Sequence, residues 1–364
     1  MKILVTGSNG FIAKNLISHL SLSHEIVEFT SDTSWEFLKE ELISIDFIFH
    51  LAGTNRDNDN AIKWGNHGLT KKLASLLIQL DLSIPILLSS STQALKKNVY
   101  GKSKLDAENE LVKFSKKSNS TVIIYRLPNV FGKWCRPNYN SVVATFCYNI
   151  NHNLPITIND PFHEINLVYI DDVIDAFSKN LKNKPKSTIT YKKINRSYNI
   201  TIKQLATKLQ SYKLANLKLP LTGNGIDRAL YATFLSYKDK TDFSYSLKEN
   251  IDERGKFVEL FHTKNSGQFS YFTSKPGVTR GMHYHHTKNE KFVVVKGKAK
   301  FHFRDLKSKK KYSITANDNK SSVVETIPGW VHSVTNVGSE DLIVLLWANE
   351  NFNINKPDTY SEEV

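Results

Sequence analysis

The opening residues constrain this chain most. Lys2–Thr6 is a short, largely apolar run that ends in Gly7-Ser8-Asn9-Gly10, after which Ile12, Leu16 and Leu20 recur at helical spacing. A strand that passes through a glycine turn into a helix is the first leg of a βαβ unit. Further strand-like runs at Glu25–Phe29 and at residues 46–51, 85–89 and 122–125 alternate with amphipathic stretches. Parallel strands joined by crossover helices are the arrangement such alternation supports, so the first part of the chain reads as a Rossmann-type, doubly wound α/β sheet.

Beyond about residue 240 the pattern changes. Short strand-like runs at 257–261, 268–273, 292–295, 299–304, 323–327 and 342–347 are separated by turn signals such as Lys275-Pro276-Gly277 and Pro328-Gly329. Many short strands with regular turns point to an all-β barrel or sandwich. The chain has 364 residues, enough for two or three domains. We expect an α/β domain over 1–243 and a β domain over 244–364, with residues 233–245 as the joint.

Composition removes several alternatives. Hydrophobic residues make up 40% and charged residues 23%, which supports packed cores and not disorder. Two cysteines, Cys135 and Cys147, cannot make a disulfide scaffold, and reduced thiols are expected. The apolar run at 342–348 is far shorter than the ~20 residues a membrane helix needs. The N-terminus carries no signal-peptide pattern, so we expect a cytoplasmic protein that binds no membrane. The net charge is +14, but the lysines are scattered as on a solvated surface. No nucleic-acid partner is expected; a phosphate-bearing small molecule suits the motifs better.

Gly7, Asn9, Gly10, Phe11 and Ile12 form the turn and first helical residues of a candidate dinucleotide site. Glycines admit a pyrophosphate to the backbone, the helix N-terminus offers amide donors, and the small Ala13 allows close helix–strand packing. Leu51, Ala52 and Gly53, at the end of the third strand, let adenosine or ribose lie on the sheet edge. The tip of the second strand reads Phe29-Thr30-Ser31-Asp32. An acid there favours NAD and an arginine NADP. Asp32 lies slightly beyond the tip and no arginine is near, although Lys14 is available to a phosphate.

Tyr100-Gly101-Lys102-Ser103-Lys104 sets Tyr100 and Lys104 at i and i+4, on one helix face, behind a strand that ends in Ser89-Ser90-Ser91. An ammonium beside a phenol, together with a nicotinamide cation, should draw the phenol toward working pH, and a serine hydroxyl can polarise a carbonyl. The set suits hydride transfer at a ketone or carbinol. These residues resemble the extended short-chain dehydrogenase/reductase superfamily. The resemblance implies that Ser91, Tyr100 and Lys104 are catalytic and that Asn66, in Gly65-Asn66-His67-Gly68, holds a proton-relay water. It also implies that Asn129, Lys133, Arg136 and Asn138 meet a sugar nucleotide. Thr92-Gln93 stand where the 4,6-dehydratases of that superfamily carry an acidic pair, which favours a ketone reductase.

In the last third, Gly277, His283, His285, Glu290 and Gly297 are followed by Pro328, Gly329 and His332. His-x-His on a strand places both imidazoles on one face. With Glu290 and His332 this makes a three-nitrogen, one-oxygen set suited to Zn2+ or another divalent metal. His286 is a further candidate ligand or acid–base group. The pattern resembles the two motifs of the cupin superfamily.

The fusion of the two halves resembles the bifunctional capsular-polysaccharide enzymes of the CapF, WbjC or FnlB type. It is carried by segments such as Val99-Tyr100-Gly101-Lys102-Ser103-Lys104 and His283-Tyr284-His285-His286-Thr287-Lys288-Asn289-Glu290. That resemblance implies a step toward UDP-N-acetyl-L-fucosamine on a UDP-2-acetamido-2,6-dideoxy-hexos-4-ulose, in a homodimer. The cupin half would epimerise C3, and the reductase half would reduce C4 with NADPH, with NADH as the alternative, to the L-talose sugar. His285, His286, Tyr284 and Lys288 all remain open as the epimerase base. The rival expectation is a monofunctional keto-sugar reductase whose cupin serves binding or dimerisation.

Overall fold

The apolar runs of the first half become a parallel sheet. In the computed structural model, which describes residues 1–182, 187–213, 218–221, 223–355 and 357–364, its strands are β1 (Lys2–Thr6), β2 (Glu25–Phe29), β3 (Phe47–His50), β4 (Ile86–Ser91) and β5 (Val122–Leu127). A side sheet contains β6 (Asn129–Phe131) and β7 (Glu164–Tyr169); β8 (Ile189–Lys192) returns to the main sheet and β9 (Tyr198–Thr201) to the side sheet. The main order is β2-β1-β3-β4-β5-β8, every pair parallel. The helices are α1 (Phe11–Leu20), α2 (Trp35–Glu41), α3 (Asp59–Lys63), α4 (Leu69–Gln79), α5 (Val99–Ser118), α6 (Val142–Asn151), α7 (Ile170–Lys182), α8 (Ile202–Lys213) and α9 (Gly225–Leu235).

Alternate side chains explain the double winding. Leu4, Ile48, Leu88 and Ile124 pack under α4 and α5 with Leu73, Leu77, Leu111 and Phe114. Ile3, Val5, Phe49 and Leu87 pack on the other face with Leu16 of α1 and Val173 and Phe177 of α7. Both sheet faces are therefore buried, which is why these strands read as continuous apolar runs without alternation.

The chain divides into two compact units, one of Met1–Gln210 with Asn224–Asp239 and a second of Ser211–Gly223 with Lys240–Val364. The second unit is all β. Its strands are β10 (Lys218–Leu219), β11 (Glu249–Asp252), β12 (Gly255–Thr263), β13 (Gln268–Ser274), β14 (Thr279–Tyr284), β15 (Glu290–Lys296), β16 (Lys298–Asp305), β17 (Lys311–Asn317), β18 (Val323–Glu325), β19 (Trp330–Asn336), β20 (Leu342–Ala348) and β21 (Tyr360–Ser361). One sheet runs β10-β12-β13-β20-β15-β18, with β11 beside β12, and the other runs β17-β16-β19-β14-β21. Phe272, Phe292 and Val344 of the first sheet meet Phe301, Ala316 and Val334 of the second in a single core. This is a cupin barrel. Its edge strand β17 escaped the sequence reading because most of its residues face solvent. Residues 233–235 likewise belong to the end of α9, and β10 pairs with β12 in the second unit, a placement no shift in composition marks.

Candidate functional sites

Glycine is demanded at the first turn on two counts. Gly7 has φ +67°, and a Cβ on it would lie 2.6 Å from the Ala52 Cα. Gly10 is the N-cap of α1 and makes no side-chain cap, so the first-turn amides of that helix are left to a ligand. Ala13 is buried and Asn9 exposed. Phe11, Ile12 and Leu51 pack against the core beside α1. The residues fit a dinucleotide. Asp32 is exposed; its Oδ1 accepts from the Ser31 hydroxyl at 3.3 Å and its amide donates to Thr30 Oγ1 at 3.1 Å.

A buried hydrogen-bond chain fixes the third-strand end against that turn. The Thr70 hydroxyl donates to the Asn66 carbonyl at 2.6 Å, so it accepts from His50 Nε2 at 2.8 Å. His50 Nδ1 is then the acceptor for the Thr6 hydroxyl at 2.7 Å, and Thr6 Oγ1 in turn accepts the Ala52 amide at 3.2 Å. His50 stays neutral: burial, with the Lys104 charge added, depresses it to about 3.

Tyr100 stands in the first turn of α5, whose N-cap Asn98 accepts the Gly101 amide at 2.7 Å. Lys104 follows one turn later, buried, with Nζ donating to Ser89 O at 3.2 Å and lying 6.0 Å from the Tyr100 ring centre. Burial lowers Lys104 to about 8, opposed by the charge of Glu108. Burial raises the Tyr100 phenol, opposed by a hydrogen bond with Ser91. A phenol raised in this way keeps its proton at neutral pH, the form a proton donor needs.

Asn66 lies in a single π-helical turn, Trp64–Gly68, a device frequent at functional sites. Its Nδ2 donates to Thr54 O, Ile62 O and Ser103 Oγ at 2.7, 2.9 and 3.1 Å, while the buried Oδ1 has no partner among the described residues. A Cβ placed on Gly53 would meet that Oδ1 at 2.7 Å and Lys104 Nζ at 2.8 Å. Gly53 thus leaves the spot on which the amide oxygen and the ammonium converge. The expected sugar-side residues stand on a separate segment: Asn129 donates to Asn166 O at 3.2 Å, and Lys133 pairs with Asp171 at 3.3 Å. Arg136 lies over Tyr139 at 5.2 Å, and the Asn138 amide donates to Thr145 at 2.9 Å. Asn15 of α1 donates to the Lys133 carbonyl at 3.1 Å, joining this segment to the dinucleotide helix. Cys135 and Cys147 are free, and burial pushes both thiols up.

Sequence reasoning passed over Glu108, the fully buried carboxylate one turn beyond Lys104. It accepts Ser90 Oγ at 2.5 Å and is paired in bidentate fashion with Arg126 at 2.6 and 3.0 Å. The i, i+4 spacing from Lys104 was the available signal.

In the second unit, the ligand atoms of His283, His285, Glu290 and His332 lie within 4.8 Å of one another. A bulge shapes β14: Gly281 and Met282 have φ +93° and +62°, and the pairing with β19 slips between Gly281 and His283. His285 Nδ1 donates to the Asp358 carbonyl at 2.6 Å, which turns Nε2 toward Glu290 at 3.4 Å. His332 Nε2 lies 3.2 Å from Glu290 Oε2, and the buried His283 Nε2 has no hydrogen-bond partner among the described residues. Burial, with His332 next, lowers His283 to about 4, so it is neutral and able to coordinate. Burial acts to raise Glu290, but hydrogen bonds from His285 and His332 outweigh it and hold the carboxyl well below its usual range. Three imidazoles and a carboxylate converging in this way fit a divalent cation. His286 is not in the set; its ring meets those of Tyr360 and Tyr284 edge-on.

Fold and sites together define an extended short-chain dehydrogenase/reductase joined to a cupin barrel. Residues 3–200 match the NAD dependent epimerase/dehydratase family, and residues 250–360 match the polysaccharide biosynthesis C-terminal domain. A Pseudomonas aeruginosa protein described as UDP-2-acetamido-2,6-beta-L-arabino-hexul-4-ose reductase is 48% identical over 99% of this chain and 98% of its own. The crystal structure of the capsular polysaccharide assembling protein CapF from Staphylococcus aureus superimposes with a TM-score of 0.92 and 40% identity over all of both chains. A UDP-glucose 4-epimerase from Thermotoga maritima, 18% identical, covers 65% of this chain and 98% of its own at a TM-score of 0.56, a likeness of fold alone. The chain belongs to the NAD dependent epimerase/dehydratase family and, along its whole length, to the capsular-polysaccharide enzymes of the CapF type. No helix among the described residues is long and apolar enough to cross a membrane.

Proposed function

We propose that this protein is a bifunctional UDP-sugar enzyme of cytoplasmic capsule synthesis, on the route to UDP-N-acetyl-L-fucosamine. The cupin unit epimerises C3 of a UDP-2-acetamido-2,6-dideoxy-hexos-4-ulose. The Rossmann unit then reduces C4 to the 6-deoxy-L-talose sugar. The observation that carries the reading is the convergence of Lys104 Nζ and the unpaired Asn66 Oδ1 on Gly53, one helical turn from Tyr100.

NADPH, when bound at the Gly7–Gly10 turn, supplies the hydride for C4. The Ser91 hydroxyl hydrogen-bonds the ketone oxygen, and Tyr100 gives it a proton. Lys104, an ammonium below about 8, stands behind the phenol. Asn66 Oδ1 holds a water that returns the proton. Asn129, Lys133, Arg136 and Asn138 bind the sugar nucleotide. Asp32 and the absence of arginine at the tip of β2 leave NADH as the alternative donor.

The metal, Zn2+ or another divalent cation held by His283, His285, Glu290 and His332, supplies a Lewis acid for an oxygen beside the acidified C3 proton. His285 has both ring nitrogens engaged, and Lys288 Nζ is tied to Pro357 O and Thr359 Oγ1 at 3.3 and 2.9 Å, which disfavours either as the base. A second reading has one observation in its favour: four protein ligands make a closed set, as structural zinc sites do. On that reading the enzyme is a plain reductase and the cupin serves binding or assembly as a homodimer.

The test is NMR of the 4-keto sugar nucleotide in deuterated water, first without cofactor and then with NADPH. Deuterium at C3 before the addition and a reduced sugar after it support the bifunctional enzyme. Reduction with no prior exchange leaves the reductase alone.

A further inference from the structure

The C-terminal tail is built into the metal loop. Strand β21 pairs with β14, setting Ser361 opposite His283 and Tyr360 opposite Tyr284. Immediately before it, Asp358 gathers the loop that follows β14. Its Oδ1 accepts the His286 amide at 3.1 Å, and its Oδ2 accepts the Thr287 amide, the Thr287 hydroxyl and the Lys288 amide at 2.9, 2.9 and 2.8 Å. Its carbonyl accepts His285 Nδ1 at 2.6 Å. Three successive amides aimed at one carboxylate form an anion-binding concavity, and only an acceptor-only group satisfies all of them. The residue's φ of +41° is one that aspartate tolerates and most residues do not.

We infer that Asp358 is a positioning residue for the metal centre: its side chain holds the 286–288 turn so that its own carbonyl fixes the tautomer and orientation of His285. A histidine whose Nδ1–H is held presents Nε2 in one direction, and an outer partner of this kind typically changes metal affinity by roughly 10–100-fold. The inference rests on the reading that the four-residue set holds a metal.

The test is Zn2+ affinity of the full chain by competition with a chromophoric chelator, together with the visible spectrum of the Co2+-loaded protein. Asp358→Ala should weaken Zn2+ roughly 10–100-fold and change the Co2+ bands, a signature that a merely structural role would not move. Asp358→Asn retains one acceptor oxygen and should lie between the two, which keeps the test sound if the alanine variant folds poorly. Asp305→Ala removes a comparable turn cap, one that accepts Lys307 N at 3.0 Å and Ser308 Oγ at 2.6 Å, and should leave both readouts unchanged. Wild-type affinity and spectrum in both Asp358 variants would overturn the inference alone. A wild-type protein that binds no Zn2+ would overturn the metal reading, and the inference with it.

Discussion

At the scale of single residues, the candidate reductase centre is a problem of burying charge. Lys104 is an ammonium in the protein interior, its cost offset by Ser89 O and by Glu108 one turn on. Because burial brings Lys104 to about 8, it carries its proton below that pH and loses it above. Reductase turnover should therefore fall as pH rises through about 8, as a kcat/KM profile with the keto-sugar substrate would show. Glu108 raises the Lys104 pKa, so Glu108→Gln should move the alkaline limb to lower pH; an unmoved limb would show that the carboxylate is felt only through Arg126. Tyr100→Phe should cut reduction by roughly 10²–10⁴-fold, the usual worth of a positioned proton donor. It should leave C3 deuterium uptake intact, because the two chemistries are assigned to different residues.

At the scale of elements, each candidate site depends on a local departure from regularity. The π turn at Trp64–Gly68 places Asn66, and the bulge at Gly281-Met282 places His283. A Cβ on Gly281 would lie 3.0 Å from both the His332 carbonyl oxygen and the Ser333 Cα, at a φ where non-glycine residues are strained by about 1–2 kcal/mol. Gly281→Ala should thus disturb two ligand strands together. Calorimetric Zn2+ titration should show several-fold weaker binding, with NADPH-dependent reduction of the keto sugar unaffected. Equal Zn2+ affinity in the variant would mean that β14 absorbs the methyl without moving His283.

At the scale of the whole molecule, the two units have separate cores: two sheet faces in the first, one inter-sheet core in the second. A metal that binds only the folded cupin stabilises that unit alone. Differential scanning calorimetry of the full chain with a chelator should lower one transition and leave the other in place. The chelator should also abolish C3 exchange while sparing reduction. Loss of both activities would contradict the assignment of the reactions to separate units.

Local periodicity and short spacing carry what could be read from the residues before the fold was known. The βαβ alternation specified the parallel sheet, because strands buried on both faces must be apolar throughout. Tyr100 with Lys104, and His283 with His285, were legible because one helical turn, or a two-residue step where β14 runs out into its loop, brings the side chains together. Fold class and the core of each candidate site were therefore readable. Tertiary structure alone decided the rest. Glu108 of α5 finds Arg126 on β5, the Asn66 oxygen meets Lys104 at Gly53, and Asp358 grips a loop about seventy residues earlier in the chain. No window of sequence contains both members of such a pair. Their energetics come from desolvation, and burial exists only once the chain has closed around them.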